Sequence, residues 1–261
     1  MKFSVITVVK NSISNIGLTI KSVQNQSFKN YEHIIFDGRS TDGTTEYIKK
    51  HLNKNIIYFR KNDKGLYDAL NKSLKKAKGQ YFVILHSGDF FYSKNSLRDL
   101  SKFLKKNENY DFCFSNILFY NRIKKKLSRV WKIPYYKYHK LNFIKIAHTS
   151  LCIKNKISKK FIYDINFKIS ADTDYLLKLN KNFKGKYFDN FLLYMEDDGL
   201  SNKNKNFLIK LKEDFSIFYR EFNLFAIILV IYKIAIKIPG FFRNLKKYER
   251  KFHLELKKIH H

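Results

Sequence analysis

The order of elements constrains this chain more than any other feature. Over the first 92 residues, short apolar runs alternate with helical patterns, and most of the runs stop at a cluster of polar, turn-forming residues. Phe3-Ser4-Val5-Ile6-Thr7-Val8-Val9 reads as a buried strand. A helix follows, capped by Ser12 or Ser14, with Ile13, Ile16, Ile20 and Val23 on one face. His33-Ile34-Ile35-Phe36 is a second apolar run, then come Asp37-Gly-Arg-Ser-Thr-Asp-Gly-Thr44 and a helix with Tyr47, Ile48 and Leu52. Ile56 to Phe59 is a third strand and Leu66 to Ala77 a helix; Tyr81 to Leu85 is a fourth strand, ending at His86-Ser-Gly-Asp89. Four strands interleaved with helices predict an α/β fold with a mostly parallel, doubly wound sheet. In such sheets ligands sit beyond the carboxyl ends of the strands, where the polar clusters after Val9, Phe36 and Leu85 gather.

From Asp111 the pattern is less regular. Asp111 to Tyr120 reads as a strand that turns through Arg122, Lys124, Lys125 and Lys126 into Leu127 to Ile133. His148 to Ile153 reads as another strand, and Asp172 to Leu179 opens a short helix. The chain is then read as two halves of one domain, residues 1–115 and 116–210, followed by an amphipathic basic helical tail, 211–261. Two cysteines, Cys113 and Cys152, are too few for a disulfide scaffold or a four-thiolate zinc site and suit a reducing compartment. The first strand begins directly after Met1-Lys2, and the longest apolar run, Leu224 to Tyr232, is far short of the roughly 20 residues of a span. The expectation is a cytoplasmic protein without a leader or a spanning helix.

The balance of 52 basic against 22 acidic residues, a formal charge of +30, points to a polyanionic partner: nucleic acid, an anionic membrane or a phosphorylated substrate. Joint enrichment in Lys, Asn, Ile, Phe and Tyr is also what an AT-rich genome produces. Basic residues are spread along the chain without a helix-turn-helix, zinc or RNP-type signature, which argues against nucleic acid.

Each polar cluster has a plain structural role as well as a chemical one. Asp37–Thr44 makes a turn and a helix cap, with Asp42 or Thr44 as the cap, or a ligand-binding loop whose glycines admit close approach. Ser87-Gly88-Asp89 makes a tight turn, or places one carboxylate where a hard cation bridges a diphosphate. Asp172-Thr173-Asp174 complements a helix dipole, or supplies a general base. His148 alone reads as a packing histidine. A Gly-rich phosphate loop is missing after the first strand, where Lys10 to Asn15 stand, which disfavours a nucleotidyltransferase.

The succession Thr-Val-Val-Lys-Asn11, Asp37–Thr44, Asp63-Lys-Gly-Leu-Tyr-Asp-Ala-Leu-Asn71, Ser87-Gly-Asp89, His148 and Asp172-Thr-Asp174 resembles the family 2 glycosyltransferases, in particular bacterial enzymes of capsule, O-antigen and lipooligosaccharide synthesis. The resemblance covers residues 3 to about 202 and is most specific in the first 92. It implies a GT-A fold with a C-terminal helical extension, in which 1–115 is the nucleotide-sugar-binding half and 116–210 the acceptor-binding half, a nucleotide-sugar donor (a UDP-sugar), Mn²⁺ or Mg²⁺, and inverting transfer to a hydroxyl of a glycan or lipid-linked acceptor. Carried over residue by residue, Thr7 and Asn11 line the nucleotide pocket and Asp37 accepts the imide N–H of the base. Asp63, Lys64, Gly65 and Asn71 bind the donor, with Ser87 and Gly88 beside it. Asp89 holds the metal and Asp172 is the base, with Asp174 supporting the start of its helix. His148, Asp174 and Ser201 contact the acceptor or the diphosphate. The chain departs from the family in having one carboxylate in His86-Ser-Gly-Asp89, Arg39 in place of a small residue, Ala171 before Asp172, and Asp198-Gly-Leu-Ser201 in place of Gly-Gly-x-Ser. A catalytically silent relative is the alternative within the same fold.

The tail from 215 to 242 is apolar with sparse lysines; Lys233 and Lys237, four apart, share a helix face. With the basic residues from Arg243 to Lys258 it reads as an in-plane helix on an anionic inner leaflet, or as helices closing the core or a dimer contact.

Overall fold

The computed structural model describes residues 1–133, 142–158, 160–197, 206–241 and 244–260. Nine strands and ten helices succeed one another among these residues as β1 (Phe3–Val9), α1 (Ile13–Gln24), β2 (Tyr31–Asp37), α2 (Thr44–Lys50), β3 (Ile56–Arg60), α3 (Leu66–Leu74), β4 (Tyr81–Ile84), β5 (Phe90–Phe91), α4 (Ser96–Lys106), β6 (Phe112–Asn121), β7 (Lys126–Trp131), β8 (Leu151–Lys154), α5 (Asn155–Ser158), α6 (Ala171–Asn182), β9 (Gly185–Glu196), α7 (Phe207–Phe222), α8 (Ala226–Ala235), α9 (Ile238–Phe241) and α10 (Lys246–His260).

All the strands join one sheet in the order β3-β2-β1-β4-β8-β6-β9-β5, with β7 paired to β6 off this path. The expected parallel sheet is present in β3-β2-β1-β4. Residue for residue, β1 and β2 are buried along their whole length, as continuous apolar runs in the middle of a parallel sheet must be. Past β4 the sheet is mixed: β8 is antiparallel to β4 and β6, while β6 and β9 run parallel. Because β6 crosses residue 115 within this unbroken sheet, the two halves of the α/β body share one sheet.

In-register pairing of Val9 with Asp37 brings the ends of β1 and β2 side by side, and Leu85 N–H donating to Ile6 C=O adds the end of β4. The loops after these three strands therefore form one rim. Ile13 departs from expectation: it lies at the very start of α1, exposed, against Gly43 of the neighbouring loop, while Ile16, Ile20 and Val23 are buried. Residues 148–150 form a 3₁₀ turn instead of strand, because Ser150 donates to Ala147 C=O from both its N–H and its hydroxyl.

The tail is built into the body. Ile217, Phe218, Ala226 and Leu229 of α7 and α8 join the main core cluster, and Phe252 of α10 packs among Phe90, Tyr120 and Tyr194. Glu213 of α7 accepts the N–H groups of Lys168, Ile169 and Ser170, at 2.7, 2.9 and 2.8 Å, immediately before α6. The helix face shared by Lys233 and Lys237 is turned inward, Lys233 onto Asp214 at 2.8 Å and Thr173 of α6, as in the reading of helices that close the core. Outward, Leu224, Phe225 and Ile228 are 77, 70 and 61 % exposed. The helical run Phe207–Ala235 is long and apolar enough, by length and composition, to cross a membrane.

Candidate active site

Loops from three strands meet at the rim. Asn11, with a left-handed backbone (φ 50°), donates its N–H to Ser40 Oγ at 2.9 Å and accepts from Thr41 N–H at 2.9 Å. Asp42 caps both helices: one oxygen takes Ile13 N–H at the start of α1 and the other takes Thr44 N–H at the start of α2. Ser12, which stands at the cap position of α1, uses its hydroxyl on Ser87 Oγ at 2.9 Å instead. Gly38 lies against the Asp63 carboxylate, which a side chain at 38 would displace. Asp63 in turn takes Gly65 N–H at 2.8 Å, and Asp68 takes Lys64 N–H at 2.8 Å. Gly65, at φ +118°, leads into α3 with open space where a Cβ would sit. Asn11, Asp63, Lys64, Gly65 and Ser87 are thus together on one edge.

Several expected donor contacts are engaged elsewhere. Thr7 is fully buried; its hydroxyl donates to Leu85 C=O at 2.7 Å and meets His33 Nε2 at 2.9 Å, so its side chain lines no pocket. Asp37 is also 0 % exposed. Burial alone would raise its carboxyl, but donors from Thr45, Ser40 and Tyr58 outweigh that and lower it. With both oxygens occupied, Asp37 shapes the 38–45 loop and is not turned toward a base. Asn71 clamps the backbone of Tyr163, donating to its C=O at 2.8 Å and accepting its N–H at 2.9 Å. Asp174 is an interior ion-pair hub for Lys178, at 2.6 Å, and Arg220. Ser201 and the stretch from Asp198 lie outside the described residues.

The centre of the site is Asp172. Its neighbourhood is fixed by an aromatic stack, Tyr67 on Tyr163 at 5.5 Å and Tyr163 on Tyr175 at 4.4 Å, and by Tyr67 Oη donating to Ile169 C=O. Asp172 Oδ1 accepts Thr173 N–H at 2.8 Å, and Oδ2 lies 3.1 Å from His148 Nδ1. Burial would raise the Asp172 carboxyl, but the His148 contact and the charges of Lys233 and Lys210 hold it well below the usual carboxylate range. His148 Nε2 lies 3.0 Å from His86 Nε2, a contact in which either ring nitrogen can be the donor, so His148 bridges the ionised Asp172 and His86. Burial keeps His86 neutral by pushing it down to about 3. The result is an Asp172–His148–His86 array at the end of β4, with the Asp172 side chain 27 % exposed. His86 was not singled out as a site residue, because nothing local in the sequence pairs residues 62 apart.

The turn after β4 carries a single carboxylate, Asp89. Gly88, at φ +100°, is held by Thr19 Oγ1 and by Tyr120 Oη, which donates to Gly88 C=O at 2.5 Å. Asp89 is 2 % exposed and spends Oδ1 on Glu196 N–H at 3.0 Å. Burial raises its carboxyl to about 8, so it is mostly uncharged at neutral pH. Glu196 beside it is bound by Arg122 at 2.8 Å and Asn15 at 3.1 Å. His86 and Gly88 occupy the positions flanking Ser87, and among the described residues no three His, Cys, Asp or Glu side chains converge. Asp89 Oδ2 is buried with no hydrogen-bond partner among the described residues, so Asp89 has one carboxyl oxygen left to offer a divalent cation and would be the residue to hold it.

Comparison with known proteins agrees with this architecture. The family description "Glycosyl transferase family 2" matches residues 4–164. An uncharacterized glycosyltransferase of Rickettsia bellii is 38 % identical over 116 residues, 44 % of this chain and 16 % of the relative. A PGL/p-HBAD biosynthesis glycosyltransferase of Mycobacterium bovis is 26 % identical over 119 residues, 44 % of this chain and 46 % of the relative. The chain thus spans less than half the length of these curated relatives. Among solved structures, S. aureus TarS 1-349 in complex with UDP superposes with a TM-score of 0.66 at 20 % identity, covering 98 % of this chain and 71 % of TarS. The mannosyltransferase PcManGT of Pyrobaculum calidifontis, in complex with GDP-Man and Mn²⁺, gives 0.58 at 12 % identity over 99 and 84 % of the two chains. The fold is of the GT-A type, and the chain belongs to glycosyl transferase family 2.

Proposed function

We propose that the chain is an inverting glycosyltransferase that moves a sugar from a nucleotide-sugar donor, a UDP-sugar, to a hydroxyl of a growing cell-surface glycan or glycolipid. The observation that carries this reading is Asp172: an ionised, part-exposed carboxylate at the start of α6, oriented by His148 beside the rim of the parallel sheet. Such a group takes the acceptor's proton as the hydroxyl oxygen attacks the anomeric carbon. The carbon–oxygen bond to the diphosphate breaks on the opposite face, and its electron pair leaves with the diphosphate. TarS structures hold UDP and UDP-GlcNAc, which supports the choice of a UDP-sugar here.

The outward apolar face of α7 and α8 supports a peripheral position on the inner face of the cytoplasmic membrane and a lipid-linked acceptor. The ties of Glu213, Arg220 and Lys233 from the inner face to α6 support helices lying on the membrane surface. The test is nucleotide release by the full chain from UDP-, GDP- and dTDP-sugars in the presence of a bacterial lipid extract. Release from one nucleotide class, lost in Asp172→Asn, is expected. No release and no thermal stabilisation by any donor would overturn the reading in favour of a silent relative or a nucleic-acid binder.

A further inference from the structure

The carboxylate of Asp172 is held by a ring that is itself held. An imidazole has two polar atoms, and both of those in His148 are engaged: Nδ1 lies 3.1 Å from Asp172 Oδ2 and Nε2 lies 3.0 Å from His86 Nε2. The planes of the two histidine rings are 60° apart with centroids 5.3 Å apart, so the rings meet through their nitrogens and are not stacked. A histidine ring turns readily about its Cβ–Cγ bond, with two wells related by half a turn. Half a turn of His148 would put Cδ2 where Nδ1 now faces Asp172. A second partner at Nε2, on the far side of the ring, selects one of the two wells. The His148 side chain is only 13 % exposed, so little water can stand in for that partner.

The backbone of His86 is secured without its ring. Its C=O accepts Asp89 N–H at 3.0 Å and lies 3.2 Å from Thr19 Oγ1. On either side, Leu85 N–H donates to Ile6 C=O at 2.9 Å and Ser87 Oγ meets Ser12 Oγ at 2.9 Å. The turn after β4 therefore keeps its shape through contacts the imidazole does not make, which leaves the ring to serve His148. Along the chain His86 belongs to the rim of the parallel strands and Asp172 to the start of α6. The pair of rings joins that rim to the helix carrying the base.

We propose that His86 is a positioning residue for transfer, which acts through His148 to keep the Asp172 carboxylate oriented for the acceptor's proton. This rests on the glycosyltransferase reading. The bonds made and broken are those given above, and His86 moves no proton among them.

The experiment measures nucleotide release by the full chain from UDP-, GDP- and dTDP-sugars with the bacterial lipid extract, and titration with UDP, GDP and dTDP. The proteins are the wild type, His86→Leu, His86→Gln, His148→Ala and the double variant His86→Leu with His148→Ala; His86→Ala takes the place of the leucine variant if the latter does not fold. In His86→Leu, kcat should fall about tenfold or more, with KM for the donor and diphosphate affinity within about twofold of wild type. Glutamine, whose terminal amide reaches the place of Nε2, should keep kcat within about threefold of wild type. The double variant should be no slower than His148→Ala alone, as for a residue that works only through its neighbour. Wild-type kcat in His86→Leu would overturn the inference, and so would a full His86 effect persisting in the His148→Ala background. Parallel losses of kcat and diphosphate affinity, or a glutamine variant as slow as the leucine one, would make the ring a packing element of the turn and overturn it too. If the wild type releases no nucleotide from any donor, the glycosyltransferase reading itself fails and takes this inference with it.

Discussion

Asp89→Asn separates a buried neutral carboxyl from a metal ligand. In the folded protein the Asp89 carboxyl is raised to about 8 from an ordinary value of 3.8, chiefly by burial, with Glu196 adding to it. A raised carboxyl contributes its full stability below the unfolded value, and that contribution is lost as pH rises toward the folded value. At about 1.4 kcal/mol per pH unit in that window, the wild type should lose about 3–4 kcal/mol between pH 5 and pH 8 on this account. Asparagine cannot ionise and keeps the carbonyl that accepts Glu196 N–H. Its buried NH₂ adds a penalty of about 1–3 kcal/mol that does not change with pH. Buried His33 and His86, also shifted, contribute equally to both proteins and cancel in the comparison. Thermal unfolding of both proteins should therefore show the variant gaining on the wild type by on the order of 10 °C between pH 5 and pH 8. A difference in melting temperature that is flat with pH would refute the burial argument. Loss of an Mn²⁺-dependent stabilisation in the variant would mark Asp89 as a metal ligand.

Three further outcomes follow from named contacts. Asp172→Asn should lower transfer by about 10²–10⁴-fold while UDP affinity stays within about twofold, read by nucleotide release and titration; near-wild-type transfer would remove it as the base. Asn71→Ala strands the N–H and C=O of Tyr163 and should cost about 2–3 kcal/mol in denaturant unfolding with nucleotide affinity unchanged; a selective loss of UDP binding would return Asn71 to the donor site. Replacing exposed Leu224, Phe225 and Ile228 by serine should reduce co-flotation of the full chain with anionic liposomes, and unchanged flotation would count against a membrane-facing role.

The N-terminal strands were legible because a run such as Phe3–Val9 suits only a covered strand, and the polar clusters mark where each run ends. Asp172 and His148 were singled out through a resemblance, and the structure pairs them. Legibility fails where a polar residue could serve either the ligand or the fold. Thr7, Asp37, Asn71 and Asp89 stand in motif positions, yet each is buried and bonded to the chain, and burial is a property of the packed sheet. The tail shows the same limit: spacing put Lys233 and Lys237 on one face, but only Asp214 and Thr173 decide that the face turns inward.

The sheet order also sets a sequence of events in time. β3, β2, β1 and β4 all lie within the first 84 residues, so this parallel quartet can assemble as soon as that length of chain is free. The two-residue β5 finds its partner, β9, only about a hundred positions later, where Phe90 aligns with Tyr194. Until then Phe90 and Phe91 are apolar side chains without a sheet to cover them. The last packing around Phe90 comes from Phe252 of α10. The loops of the rim can therefore mature early, whereas the Asp172-bearing α6 is locked only once α7 delivers Glu213 to its preceding backbone, so the Asp172–His148 pairing is completed late.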